Sequence, residues 1–496
     1  MLKSQSIVWL LLGGAAAYLY MGNAPFPPAL WIAPVLLLHF AHGSPPVRGL
    51  AGIYSVLLIA SVVANVGILP VQGPMYFGYM AGISLVYLLP YVADRFIASR
   101  FPNALGTLIF PLSQATVEYA ISLASPASTW GITGYTQFGF LGLMQVASVT
   151  GMYGISFLTT WFSSVLAWAW DRSFTWKTIR TRGLTCLSVL TLVIIGGQWR
   201  LTSAPGTAKT FRAAALSYPP ETFKPGEATR IRHGQVAPEE RDSFREKMAG
   251  LQDWFLETSR REAQAGAKIV MLGELNLLTF KEDENAFLAR ARDLARTEEV
   301  YLLIGMATVT PGAQYPLENK AVFIDDSGRT ICSYVKAHPA DKWEDSPNQP
   351  DKPFVGDTRF GRSAVVICYD MDFPGFIRKA GAEHAVLMLA PANDWREIKQ
   401  IHLAMAASRA IENGFTLIRA TSTGYSAVVD PYGRILAATD GFVPGARVMN
   451  SEVPVGSSGT IYAQVGDVFA WMCVAALLML IGWGLRRPDQ STIVNR

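Results

Sequence analysis

The chain has 496 residues, half of them hydrophobic and only 16% charged, with a formal net charge of +4. A soluble protein of this length carries about 25% charged residues, which excludes an ordinary soluble enzyme. The charge is small and no basic stripe marks a nucleic-acid partner.

The apolar excess gathers at the two ends. Crossing a bilayer takes roughly 20 largely apolar residues per helix. Stretches of this kind lie at 6–21, 28–42, 49–69, 74–93, 104–124, 141–169, 183–200 and 466–485. Residues 1–21 also admit a reading as a cleaved signal peptide, but no small-residue cleavage site precedes the next apolar stretch. Short loops rich in Lys and Arg stay in the cytoplasm. Lys3, Arg48, Arg95 and Arg100, then Arg172, Lys177, Arg180 and Arg182, and finally Arg486 and Arg487 fall in alternate connections. The other short connections, GNAPFPP, LPVQG and SPASTWGITGYTQFGF, contain no Lys or Arg. The pattern predicts eight spans with both termini in the cytoplasm and the polar segment between spans seven and eight outside.

That outer segment has the composition of a globular domain and alternates strands with helices. FRAAALSY, KIVMLG, VYLLIGMATV, SAVVICY and AVLMLAPA read as strands. Residues 238–265, NAFLARARDLAR, the stretch around PGFIRKAG and 397–413 read as helices. KAVFIDDSGRTICSYVK and SAVVDPYGRILA read as hairpins turning at Asp-Ser-Gly and Pro-Tyr-Gly. Continuous apolar strands mixed with hairpins imply a mixed sheet covered by helices. Of four cysteines, Cys186 and Cys473 lie in apolar stretches and Cys332 and Cys368 in the outer segment. No CxxC pair marks a metal or redox motif, and no cofactor motif is visible. A Cys332–Cys368 disulfide is conceivable in an oxidising compartment, but a working Cys368 must be free.

Three polar residues follow apolar strands: Glu274 after KIVMLG, Lys336 after ICSYV and Cys368 after SAVVI. Strand ends of α/β folds are where ligand chemistry collects. Singly, each has an ordinary reading as a cap or solvated acid, a solvated lysine and a packed thiol. Together they form a working set. A thiol near its usual pKa is mostly protonated at neutral pH, and a carboxylate can take its proton as it attacks a carbonyl. An ammonium, with the backbone N–H after the nucleophile, can stabilise the oxyanion that develops.

With YVK at Lys336 and ICYD at Cys368, these residues resemble the Glu-Lys-Cys triad of the nitrilase (carbon–nitrogen hydrolase) superfamily. AND at 392–394, AASRAIENG at 406–414 and VVDPYGRIL at 428–436 extend the resemblance over nearly the whole outer segment. Glu344 matches a second glutamate that the superfamily places near the triad; its ordinary reading is a solvated loop acid. The stretch 125–158 resembles the apolipoprotein N-acyltransferase family, which also sets a nitrilase domain between a seventh and an eighth span. The resemblance implies a multi-pass α-helical membrane domain of about eight spans plus an extracytoplasmic α/β nitrilase-like αββα sandwich. The expected boundaries are 1–204, 205–455, and 456–496 for the last span and a cytoplasmic tail. It implies a bacterial inner-membrane enzyme in which Cys368 takes an acyl chain from a phospholipid and passes it to the amine of a lipoprotein or another lipid-linked acceptor.

The chain departs from the family pattern in four places. LGE stands for Trp-Pro-Glu, LSYPPETF for the early Gln-Gly-Asn region, and Asp370 for a glutamate two residues after the nucleophile. Only 31 residues separate Lys336 from Cys368, in a polar, Pro-rich loop where the family has a longer apolar lid. In that loop Trp343 and Phe354 are the residues suited to touch lipid. Asp370 is a candidate for holding the site, or a plain loop acid. In the membrane half, Glu118 lies near the outer end of the fifth stretch, either as an intramembrane acid, a costly and often functional feature, or as one that simply reaches the interface, and Trp130 and Tyr135 suit headgroup anchoring or the border of a substrate entrance. His39 and His42 end the second stretch as interfacial residues without an evident partner. The short polar loop also suits a second reading, a membrane-tethered amidase using the same triad, and a third is a non-catalytic membrane scaffold.

Overall fold

Two kinds of packing divide the chain. A computed structural model describes residues 4–22, 24–101, 104–203, 209–218, 222–340, 344, 349–445, 447–456 and 459–487. Met1–Ser203 with Val465–Arg496 form one compact unit, and Ala204–Gln464 form the other.

The first unit is helical. Its long helices are Ser4–Tyr20, Pro27–His42, Pro46–Ala64, Pro74–Ile97, Ile109–Ala124, Met152–Trp170, Trp176–Thr202 and Val468–Leu485. Prolines stand in the first turn of three of them, at Pro27, Pro46 and Pro74, where the missing N–H costs nothing and the fixed φ suits a helix. Among the described residues, four helices are long and apolar enough to cross a membrane by length and composition: Pro46–Ala64, Pro74–Arg100, Ile179–Thr202 and Val468–Leu485. Large apolar side chains such as Leu192, Leu478 and Met479 stay exposed on them. The apolar stretch 141–169 is not one helix. Short helices Leu141–Met144 and Ala147–Thr150 precede Met152–Trp170, and the break falls at Gly151, whose φ of 65° suits a residue without a side chain.

Several polar groups in this unit are paired internally. Glu118 is buried; its Oε1 accepts from the Thr133 backbone N–H at 2.9 Å, the Thr133 hydroxyl at 2.6 Å and Gln114 Nε2 at 2.9 Å. His39 and His42 have partners that lie far off in sequence. Asp171 meets His39 Nδ1 at 2.7 Å and His42 Nδ1 at 2.5 Å, and Asp94 meets His42 Nε2 at 2.6 Å.

Among the described residues the second unit holds twelve strands, β1 Thr210–Leu216, β2 Ile269–Phe280, β3 Tyr301–Val309, β4 Leu317–Ile324, β5 Thr330–Val335, β6 Phe354–Thr358, β7 Gly361–Val365, β8 Leu387–Ala392, β9 Thr416–Thr421, β10 Tyr425–Val429, β11 Ile435–Asp440 and β12 Val448–Pro454. They form two six-stranded sheets, in the orders β12-β1-β2-β3-β4-β5 and β11-β10-β9-β8-β7-β6. The sheets pack face to face through β1 and β2 against β8 and β9. Helices Arg241–Gln264 and Glu284–Thr297 cover the first sheet, burying Phe255, Phe287, Leu288 and Leu294 against Val270, Leu272, Leu302 and Ile304. Helix Lys399–Asn413 packs on the second sheet, with Pro374–Ala382 beside it. The result is an αββα sandwich. Because both faces are covered, β2, β3, β8 and β9 are buried along their whole length, which is why they read as continuous apolar runs.

Both hairpins form, as β4–β5 and β10–β11. Two expectations differ in detail. KIVMLG does not end a strand at Glu274: β2 continues to Phe280 through a register shift between Leu272 and Leu277 against β3. The run SAVVICY leaves its sheet early, since β7 ends at Val365. Strands β6 and β12 carry no sequence signal comparable with the others.

The β2 irregularity depends on a close approach of two glycines. A Cβ on Gly305 of β3 would lie 2.2 Å from the Gly273 carbonyl oxygen and 2.9 Å from Glu274 Cα. Gly305→Ala is therefore expected to cost about 1–3 kcal/mol and to displace Glu274. Gly250→Ala, on an open helix position with nothing within 4 Å, should not destabilise. Thermal unfolding of both variants checks this, and equal midpoints would refute the close packing.

Candidate active site

The shift in β2 turns Glu274 inward. Leu275, the next residue, has a φ of 56°, a left-handed backbone that a non-glycine residue holds only when its surroundings enforce it. Lys336 follows β5 directly, and its backbone N–H donates to the Asn319 carbonyl on β4 at 3.0 Å. Its ammonium reaches Glu274 Oε1 at 2.7 Å and Glu344 Oε2 at 3.1 Å. Asn319 Nδ2 also donates to Glu274 Oε1, at 2.7 Å. All four side chains are buried. Burial alone would lower the Lys336 pKa, but the Glu274 and Glu344 carboxylates override it and hold the ammonium well above the ordinary lysine value.

Cys368 begins a tight turn, Cys368–Asp372, with a φ of 48°. Asp370 ties that turn down. Its Oδ2 accepts from the Ile367 N–H at 2.9 Å and the Tyr334 hydroxyl at 2.8 Å, and its Oδ1 from the His338 N–H at 2.8 Å. The His338 ring stacks on Phe373 with centroids 3.7 Å apart. The Cys368 thiol is buried, 3.7 Å from the Asn393 carbonyl. Burial and the Glu274 charge push its pKa well above the ordinary thiol value, with Lys336 pulling the other way. The resting group is thus a neutral thiol that feels both members of the Glu274–Lys336 pair. Cys332 and Cys368 are both free.

Behind the thiol lies a cluster that the strand-end argument did not find. Asp394, just past β8, accepts from Arg419 Nη2 of β9 at 2.7 and 2.9 Å, and lies 2.6 Å from His402 Nδ1. His402 Nε2 faces Asp372 at 3.2 Å. Burial opposes the His402 charge, but Asp372 and Asp394 carry its pKa up to about 9. Despite burial, Arg419 and His402 hold Asp394 below the usual carboxylate range. Cys368, Asp394 and His402 bring S, O and N donors within 4.8 Å of one another, but the Arg419 guanidinium on the same Asp394 oxygens opposes a cation there. The available sequence signal was AND at 392–394, together with polar residues on the buried side of helix Lys399–Asn413.

The structure brings together Glu274, Lys336, Glu344, Cys368 and Asp370. Trp343 lies outside the described residues; Phe354 opens β6, half-buried. Glu118, Trp130 and Tyr135 belong to the helical unit, where Trp130 is half-buried and the buried Tyr135 donates its hydroxyl to Thr129 Oγ1 at 3.0 Å.

Two family models match the chain. The one described as carbon-nitrogen hydrolase covers residues 233–458, and the one described as apolipoprotein N-acyltransferase N-terminal domain covers residues 13–165. An apolipoprotein N-acyltransferase of Geobacter metallireducens is 26% identical over 97% of this chain and 95% of its own length. One of Bradyrhizobium diazoefficiens is 25% identical over 79% of this chain and 77% of its own. Among solved structures, an amidase from Nesterenkonia sp. is 21% identical with a TM-score of 0.41, covering 54% of this chain and 97% of its own.

Removing one member of a buried ion pair leaves a bare charge, at about 3–5 kcal/mol. Lys336→Met is expected to lose that much in denaturant unfolding, and adding Glu274→Gln should recover part of it. Asp394 has a folded pKa below its ordinary 3.8. Its stabilisation is therefore present above that value and lost as the pH falls through the lower folded one. Asp394→Asn should flatten the acid limb of the stability–pH curve, and an unchanged limb would refute the pairing.

Proposed function

We propose, from the premise that this chain belongs to the apolipoprotein N-acyltransferase family, that it moves a fatty acyl chain from a phospholipid, through a thioester on Cys368, to the amino group of a lipoprotein or another lipid-linked amine. The observation that carries this reading is a buried, free thiol at a left-handed backbone position, coupled to the Glu274–Lys336 pair. Helices apolar enough to enter a membrane, in the same chain, suit substrates that are themselves lipid-anchored.

Each residue has a role in this reading. Because the resting thiol is neutral, Glu274 takes its proton as the sulfur attacks the ester carbonyl of the phospholipid, not beforehand. The S–C bond forms while the carbonyl electron pair moves to oxygen, beside the Lys336 ammonium and the backbone N–H after Cys368. The pair returns, the C–O bond to the lysophospholipid breaks, and Glu274 protonates that leaving oxygen. In the second half the acceptor amine attacks the thioester carbonyl, Glu274 accepts the amine proton, and the thiol leaves with a proton. Glu344 holds the ammonium in place, and Asp370 holds the nucleophile turn. We place this chemistry at the extracytoplasmic surface of a bacterial inner membrane, with about eight spans and both termini inside, from the distribution of Lys and Arg between the apolar stretches.

Intact-mass measurement of the purified protein with phospholipid vesicles and no acceptor tests this. The expected result is a gain of one fatty acyl group that hydroxylamine removes and that Cys368→Ala lacks. A thiol open to alkylation but never acylated, with turnover of a small aliphatic amide, would replace the reading with an amidase.

A further inference from the structure

The backbone at Cys368 is held in a sparsely populated conformation, and such a residue stays there only if its neighbours are fixed on both sides. Asp370 fixes one side through Ile367, Tyr334 and His338. The other side ends at Asp372, the last residue of the turn. Asp372 faces His402 Nε2 at 3.2 Å, while His402 Nδ1 faces Asp394 at 2.6 Å. Asp394 directly follows Asn393, whose carbonyl touches the Cys368 sulfur. One imidazole thus joins the segment that carries the thiol to the segment that faces it.

We propose that His402, as an imidazolium between Asp372 and Asp394, is a positioning residue that clamps the Cys368 turn against the Asn393 carbonyl. This rests on the reading of Cys368 as the nucleophile. The groups that face His402 are Asp372 from the turn, Asp394 from the end of β8, Arg419 of β9 with its Nη2 3.0 Å from Nδ1, and the Cys368 sulfur within 4.8 Å. Two carboxylates meet one guanidinium and one imidazolium, so the cluster is neutral only while His402 is protonated. Its folded pKa of about 9 lies above the ordinary 6.5. The clamp is therefore complete at neutral pH and is lost as the pH rises through about 9. No proton passes from His402 to substrate; it acts through the turn.

The test uses the full-length protein and follows the rate of Cys368 modification by iodoacetamide, read by intact mass, from about pH 6 to about pH 10. Wild type should react faster than His402→Gln by about tenfold or more at neutral pH, since small misplacements of reacting atoms cost that much. The ratio should fall to near one once wild type has lost its own imidazolium. A role in bulk stability alone would follow the same pH dependence, so denaturant unfolding of both proteins is measured at each pH; a reactivity ratio that merely tracks the difference in unfolding, or a ratio of one throughout, overturns the clamp. Asp372→Asn with His402→Gln keeps the cluster neutral, guards against misfolding of the single variant, and should show the same loss. A double variant as reactive as wild type also overturns it. Acyl loading from phospholipid vesicles is measured in parallel. If loading fails while the pH-dependent ratio appears, acyl transfer falls and the clamp stands. A wild-type thiol inert to both reagents overturns both.

Discussion

A lysine ammonium buried between two carboxylates is the interaction on which the site depends. Lys336, Glu274 and Glu344 come from the end of β5, the irregular middle of β2 and the loop after Lys336. A buried charge without partners costs several kcal/mol, so these three segments fix one another. The Asn319 donor on Glu274 adds a fourth constraint from β4. The result is a fixed positive charge buried beside the Cys368 thiol. In the function proposed above, that charge would stabilise a developing oxyanion without reorganisation of solvent.

The backbone on both sides of this pair is strained. Leu275 and Cys368 are non-glycine residues with positive φ, each at about 1–3 kcal/mol. The strain is local and its compensation is not. Asp370 gathers donors from β5, the segment beyond it and the turn itself, and His402 adds ion pairs from a helix on the outer layer. Geometry at the thiol is thus held by groups drawn from several other elements.

The helical unit follows the same rule in a more apolar setting. Where hydrocarbon replaces water, a polar side chain must find a partner inside the protein. Glu118 closes on Thr133 and Gln114, and Trp31 Nε1 donates to Gln137. The two histidines at the end of helix Pro27–His42 share Asp171. The Glu118–Thr133 and Trp31–Gln137 contacts pin the connection 125–140 to the surrounding helices, while the two histidines, which looked like free interfacial groups, tie helix Pro27–His42 to Asp94 and Asp171.

The sequence by itself determined the order Glu274, Lys336, Cys368 and the apolar runs that precede them. It also determined both hairpins and the concentration of apolar residues at the two ends, because periodicity and turn chemistry are local properties of the chain. Only the tertiary structure decided that β2 runs on past Glu274, since that depends on Gly305 approaching Gly273 from another strand. It decided that 141–169 breaks at Gly151, and that His39 and His42 meet an aspartate about 130 residues away. It also brought Asp372, Asp394, His402 and Arg419 into one buried cluster. Each of the four reads alone as an ordinary polar residue, and their charges acquire meaning only where separate elements bury them together.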